Sequence, residues 1–583
     1  MTARRASSLA RFAFVAAAVV LAAAVSGAAP RTVAAAGSYQ RISGEGSSWS
    51  ANAIDAMRVN VRQFGITVDF NPTGSTAGRK NFLNGTVDFA ASDIPFQFAP
   101  EDGSAPENPA PGSYAYIPVV AGGTAFMYNL QINGKRVTNL RLSGENVVKI
   151  FTGLITTWND PAIQADNPGL VMPARTIVPV VRSDGSGSTG QFSKWMIEMH
   201  GALWNDYCDR SGRAPACGET SFYPTIPGMI AQQGDLGVAG YVSQGFAEGA
   251  IGYVNYSYAL GSSFPVAKVL NAAGYYTEPT PENVAVSLLQ ARINTNESDP
   301  SVYLTQQLEG VYTDTDPRSY QLSSYSYLIV PTKVAGQFNL DKGKTLGAFA
   351  YYAMCQAQQQ SASLGYSPMP INLVEASFDQ IRKIPGVEVQ DVDISQCDNP
   401  TFAADGSNLL ADNAPRPQEC DKKGSASQCP NGTGGLSNVL TDVLATGGGG
   451  GGQTPGAGST PAGGSTPAGG STPAGGSTPA GGSTPAGGSV PAGGGTGVDG
   501  VPTEGAVCDP DTGLCGGVTG GGVANGGNVV GGGVVGAITP TVLSQNSGWS
   551  SSIVLMLLVC GLTLVLVLAP AFVWRRLARK AAA

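Results

Sequence analysis

Ile177-Val178-Pro179-Val180-Val181-Arg182-Ser183-Asp184-Gly185-Ser186-Gly187-Ser188-Thr189-Gly190 joins an apolar, strand-like run to a glycine- and serine-rich turn. The amphipathic segment Phe192-Ser193-Lys194-Trp195-Met196-Ile197 follows at once and reads as a helix. Strand, polar turn and helix start form an arrangement suited to oxyanions. The first amides of a helix have no intrahelical partner, and glycine lets a ligand approach them closely. Arg182 adds a planar fork of donors that fits a tetrahedral anion. The turn lacks the Gly-x-x-x-x-Gly-Lys-Ser/Thr spacing of a nucleotide P-loop, and no Gly-x-Ser-x-Gly nucleophile elbow occurs in the chain.

Three further loops have the same chemistry. Trp49, Ala53, Met57, Val61 and Phe64 recur at helical spacing, behind Gly44-Glu45-Gly46-Ser47-Ser48. Ile66, Val68 and Phe70 alternate as a strand does and lead into Asn71-Pro72-Thr73-Gly74-Ser75-Thr76. The strand-like Val87-Asp88-Phe89-Ala90-Ala91 ends on Ser92-Asp93. Downstream, Ile117 to Val120 and Ala125 to Leu130 read as strands, and Glu145 to Phe151 as a helix stopped by Gly153. Strands alternating with helices predict an α/β fold with mainly parallel sheets, whose ligands sit where strand ends meet helix starts. Each loop alone is also explained by ordinary caps and turns. Together they point to one shared pocket.

The flanks differ in composition from this core. Arg4, Arg5 and Arg11, the apolar run Phe12 to Val25 and Ala34-Ala35-Ala36 read as a secretory leader over residues 1–36. Residues 446–546 are dominated by glycine with proline, serine and threonine, and include five Ser-Thr-Pro-Ala-Gly-Gly repeats from Ser459 to Gly488. Such a stretch cannot bury enough apolar surface to fold, and as a flexible coil about 100 residues span roughly 55 Å. Residues 553–573 are uncharged and apolar, followed by Trp574 and the cations Arg575, Arg576, Arg579 and Lys580. That pattern predicts one transmembrane helix with residues 574–583 as a basic cytoplasmic tail. The expected placement is the outer face of the plasma membrane, single-pass, with the N-terminus outside.

Nine cysteines and one histidine, His200, limit metal chemistry. With no Cys-x-x-Cys pair, no metal site is expected and no cofactor is implied. Cys208 with Cys217, Cys420 with Cys429, and Cys508 with Cys515 read as local disulfides, with Cys355 and Cys397 as a longer candidate pair; spacing does not fix the connectivity. Cys560 falls inside the expected span. Residues 401–445 form a Cys-containing extension, either a small cap or the start of the stalk. A net charge of −8 without a basic stripe argues against a nucleic-acid partner.

The ordered motifs Gly44-Glu45-Gly46-Ser47-Ser48-Trp49, Gly74-Ser75, Val87 to Asp93 and Arg182 to Ser188 resemble those of the phosphate-binding receptors of ABC-type importers. Leu142 to Asp160, Gly252-Tyr253 and Tyr327-Leu328-Ile329-Val330-Pro331 are similar to further signatures of that family, so the resemblance covers about Gly37 to Val387. It implies a two-lobed, hinged periplasmic-binding-protein fold over 37–400, with lobe 1 about 37–125 and 320–400 and lobe 2 about 126–319. It further implies phosphate binding by Ser48, Trp49, Ser75, Asp93, Arg182, Ser186, Gly187 and Ser188, with Asp184 orienting Arg182. No residue is assigned a catalytic role. The implied partners are inorganic phosphate and an ABC permease and ATPase complex. Trp49 stands where phenylalanine is usual in that family, and Ser48 and Ser188 where threonine is common.

Asp93 has a physical role in this reading. A carboxylate facing an anion repels it unless it accepts a proton the ligand carries; phosphate near neutral pH keeps one and sulfate keeps none. Two other functions fit parts of the chain. A secreted phosphatase would use Ser186 or Ser188 as nucleophile with His200 as base, and the long tether suits a surface phosphate sensor or adhesion protein.

Overall fold

The computed structural model describes residues 39–442, apart from 300 and 404. The leader (1–36), the linker (446–546), the span (553–573), the basic tail, Cys508, Cys515 and Cys560 lie outside the described residues. Among the described residues no helix is long and apolar enough to cross a membrane.

The chain opens with strand β1 (Ile42–Gly46), helix α1 (Ala51–Asn60), β2 (Val68–Asn71), α2 (Ser75–Leu83) and β3 (Phe89–Ser92). Next come the long strand β4 (Tyr114–Tyr128) and α3 (Gly144–Phe151). After β5 (Val178–Arg182) and α4 (Gly187–Arg210) follow β6 (Ile230–Gln232), α5 (Gly234–Val242), β7 (Ala250–Asn255) and α6 (Tyr256–Gly261). Then α7 (Pro281–Leu288), β8 (Ser323–Pro331), α8 (Leu340–Met354) and α9 (Ile371–Ile381) return to the first half. Helix starts are capped as the sequence allows: Ser143 accepts from the Asn146 amide, Thr280 from Asn283 and Asn339 from Lys342.

The eight strands order as β2-β1-β3-β8-β4-β7-β5-β6. β1 pairs in parallel with β2 and β3, and β5 in parallel with β7 and β6. The centre is antiparallel, β3 to β8 to β4 to β7. The expectation of mainly parallel sheets therefore describes the two wings and not the middle. The fold is the two-lobed α/β arrangement of periplasmic-binding proteins, and β4 belongs to both lobes. Its residues up to Gly123 pair with β8, and those from Thr124 onward pair with β7.

The sequence reads as two strands here, Ile117 to Val120 and Ala125 to Leu130, with Gly122-Gly123 between them. The strand runs straight through, because the glycines serve close approach. A Cβ on Gly122 would lie 2.8 Å from the Trp49 ring, and one on Gly123 2.2 Å from Pro279 Cβ. Both faces of the strand are buried. Helix α4 likewise runs well past the predicted segment, with a kink at His200 (φ −143°, ψ 38°).

Three disulfides are present among the described residues: Cys208–Cys217, Cys355–Cys397 and Cys420–Cys429. The segment from Cys397 to Asp442 is a strap laid over the body. It starts beside α9, where the Asn399 amide and Thr401 hydroxyl both donate to the Met369 carbonyl at 2.9 Å. Ala411 and Ala414 pack on Ala285 and Val286 of α7, and Arg318 donates to the Ala411 carbonyl. Asp421 then meets Lys268 at 2.6 Å and Arg141 at 3.5 Å. Thr433 donates to the Val266 carbonyl, the Gly434 amide to Glu278, and Thr441 accepts from the Thr138 amide.

Candidate functional site

Every residue singled out in the four loops converges on the seam between the lobes. Ser48 lies between β1 and α1, Ser75 opens α2, Asp93 ends β3, and Arg182 to Ser188 join β5 to α4. Ser48, Ser75, Asp93, Arg182, Ser186 and Ser188 are all buried. The lobes touch here through glycine. A Cβ on Gly187 would lie 2.5 Å from Ser75 Oγ and 2.8 Å from Asp93 Oδ2. Gly74 has φ +102°, and a Cβ there would lie 2.4 Å from Asp184 Oδ2. The Thr76 amide of lobe 1 donates to the Gly185 carbonyl of lobe 2 at 3.0 Å.

Asp93 is ringed by hydroxyls. Ser47 donates to Oδ1 at 2.6 Å, Ser326 to Oδ1 at 2.8 Å and Ser75 to Oδ2 at 3.2 Å. Burial pushes its carboxyl up to about 6 despite these donors; Asp235 adds to the rise and Arg182 opposes it. Arg182 is held in a fork. Its Nε donates to Asp184 Oδ1 at 2.8 Å, Nη2 to Asp184 Oδ2 at 2.5 Å and Nη1 to Asp235 Oδ2 at 2.5 Å. Burial would lower its pKa, but Asp235 and Asp184 outweigh this and hold it above the ordinary arginine value. Asp184 stays below the usual carboxylate range: burial would raise it, but the bond to Arg182 prevails. Arg182 Nη1 also donates to Ser188 at 3.2 Å, and the Ser186 and Ser188 hydroxyls lie 2.8 Å apart.

The backbone completes the site. The amides of Ser48, Trp49, Ser75, Gly187 and Ser188 have no acceptor among the described residues. They stand at three helix starts, where unpaired donors and the helix dipole favour negative charge. The Trp49 indole is turned away into the core: its Nε1 donates to Thr124 Oγ1 at 3.2 Å and its ring meets Tyr366 edge-on. His200 packs edge-on against Trp195, not against Ser186, whose Oγ takes the Thr189 amide.

Sequence reading missed Ser47, Ser326, Tyr253 and Asp235. Tyr253 accepts from the Arg182 amide and lies 2.6 Å from Thr189 Oγ1. Ser326 sits in the middle of β8, with no local pattern marking it. Asp235 had a usable signal, since Gln232-Gln233-Gly234-Asp235 repeats the strand, polar turn, helix order of the other loops.

A family model described as the PBP superfamily domain matches residues 31–357. Phosphate-binding protein PstS 2 of Mycobacterium tuberculosis is 31% identical over 312 residues, covering 52% of this chain and 76% of that protein. The chain belongs to the PBP superfamily, among the Pst-type phosphate-binding proteins. Phosphate-binding protein PstS 3 of Mycobacterium leprae is 30% identical over 315 residues, covering 52% and 76%. Phosphate-binding protein PstS of Haemophilus influenzae is 29% identical over 319 residues, covering 55% and 85%.

Proposed function

We propose that this Pst-type protein is an extracytoplasmic receptor for inorganic phosphate that delivers its ligand to an ABC-type permease and ATPase complex. The observation that carries this reading is the set of five amides, on loops of both lobes, that have no acceptor among the described residues, together with the doubly pinned Arg182 guanidinium. Stripping water from a phosphate is costly, and hydrogen bonds to a charged group return about 1.5–3 kcal/mol each. The five amides, the Ser186–Ser188 hydroxyl pair and the remaining Arg182 N–H supply the donors, while the Ser48 and Ser75 hydroxyls donate to Asp235 and Asp93. Ser186 and Ser188 act as ligand donors, and His200 packs on Trp195.

Asp93 selects the ligand in this proposal. Its carboxylate accepts the proton of hydrogen phosphate, while sulfate meets it lone pair to lone pair. Calorimetry on the purified protein at pH 7.5 is expected to show tight phosphate binding and negligible sulfate binding. Asp93→Asn is expected to raise sulfate affinity selectively, and equal affinity of the wild-type protein for the two anions would remove the role given to Asp93.

Placement outside the cell rests on the sequence. Residues 1–36 serve as the leader, 553–573 as the membrane-spanning helix and 446–546 as a stalk of roughly 55 Å reach. Deleting 553–583 is expected to release the protein from the membrane fraction into the medium. Retention of the truncated chain in that fraction would refute the anchor.

A further inference from the structure

Asp235 is fully buried in the first turn of α5 and bonds in three directions. Its Oδ2 accepts from Arg182 Nη1 at 2.5 Å and from Ser48 Oγ at 2.6 Å, and its Oδ1 from the Asn255 amide at 2.7 Å. Its own amide donates back to Ser48 Oγ at 3.0 Å. Arg182, Asn255 and Asp235 belong to lobe 2, and Ser48 to lobe 1. One carboxylate thus fixes the guanidinium from the side opposite Asp184 and holds a hydroxyl of the other lobe.

We propose that Asp235 is a specificity-determining positioning residue: it couples Arg182 to Ser48 across the closed cleft and leaves the site with a carboxylate excess that only a proton-bearing oxyanion tolerates. The inference rests on the phosphate reading. Its electrostatic basis is a count of buried groups. Asp93, Asp184 and Asp235 face a single guanidinium, Arg182. The charge of Arg182 is therefore already matched before a ligand arrives. Attraction then depends on hydrogen-bond geometry, and an anion without a proton adds repulsion that it cannot offset. The other titratable groups facing Asp235 or Asp93 are the buried phenols of Tyr258, Tyr366 and Tyr327, all held neutral by burial. Among these neighbours Asp235 is the one anion that raises the Asp93 carboxyl.

The test compares Asp235→Asn with Asp235→Glu in the full protein. The asparagine removes the charge at nearly constant shape, and the glutamate keeps the charge at altered geometry. Asp235→Asn is expected to lower the phosphate-to-sulfate affinity ratio at least about tenfold and to move the Asp93 carboxyl titration, followed by carbon NMR in the ligand-free protein, to lower pH. Asp235→Glu is expected to weaken phosphate binding but keep the ratio. Equal ratios in the two variants, or an unmoved Asp93 titration in Asp235→Asn, overturn the proposal. Should the asparagine variant fail to fold, loss of selectivity in the glutamate variant serves as the overturning result. Failure of the wild-type protein to bind phosphate at all would instead count against the phosphate reading.

Discussion

The cleft and the C-terminal strap both hold buried charge, but they use it in opposite ways. In the cleft one cation, Arg182, is met by Asp184 and Asp235, with Asp93 close by, and several backbone donors stay unpaired. In the strap one anion, Asp421, is met by the cations Arg141 and Lys268. Donors left open with anions in excess suit a site that waits for a protonated guest. A carboxylate saturated by cations suits a fastening.

The sharpest way to break this contrast is Arg182→Ala. It removes the central donor and leaves Asp184 and Asp235 buried without their partner. Phosphate affinity is expected to fall by about a thousandfold or more, and thermal stability to fall with it, since breaking a buried pair costs about 3–5 kcal/mol. Near-normal affinity by calorimetry would show that the guanidinium is only a fastening, like Asp421.

Asp421→Ala is the matching cut in the strap. Uncovering Arg141 and Lys268 is expected to cost about 3 kcal/mol in urea denaturation while leaving phosphate affinity within about twofold. A large loss of affinity would mean that the strap takes part in binding.

Next comes the pH dependence of the ligand-free protein. The Asp93 carboxyl stands at about 6 in the folded chain against an ordinary 3.8. The native state therefore keeps a proton that the unfolded chain has already released. Its contribution is fully present below about pH 4 and is lost as pH rises to about 6, on the order of 3 kcal/mol. Denaturation between pH 4 and 7 is expected to show this slope in the wild type and a flatter line in Asp93→Asn. Parallel profiles would place the titrating group elsewhere.

The smallest effect belongs to Ser75→Ala. Losing the hydroxyl that donates to Asp93 Oδ2 is expected to weaken phosphate binding about five- to tenfold. An unchanged affinity would leave Ser75 as a support for Asp93 alone.

Legibility followed the range of the signal. Ser48, Ser75, Asp93 and the Arg182 turn stood out because each follows a strand, and all but Asp93 lead into a helix, a pattern carried by a few consecutive residues. The gap read between Val120 and Ala125, which holds Gly122-Gly123, misled for the same reason. Locally the pair looks like a break, and only the Trp49 ring and Pro279 show why side chains are missing there. The strap was unreadable, since Thr401, Asp421 and Thr433 have no periodicity and their partners lie 32, 153 and 167 residues away.

By itself the sequence determined the chemistry of the turns: which residues bring hydroxyls, a guanidinium and open amides, and that they follow strands. Those are properties of short runs, set by backbone stereochemistry and side-chain type. The tertiary structure alone decided that Asp235 and Ser326 join them, that Trp49 offers its amide and not its ring, and that three carboxylates face one arginine. Such balances depend on which distant segments are packed into the same few ångströms of low-dielectric interior, where each charge must find its partner.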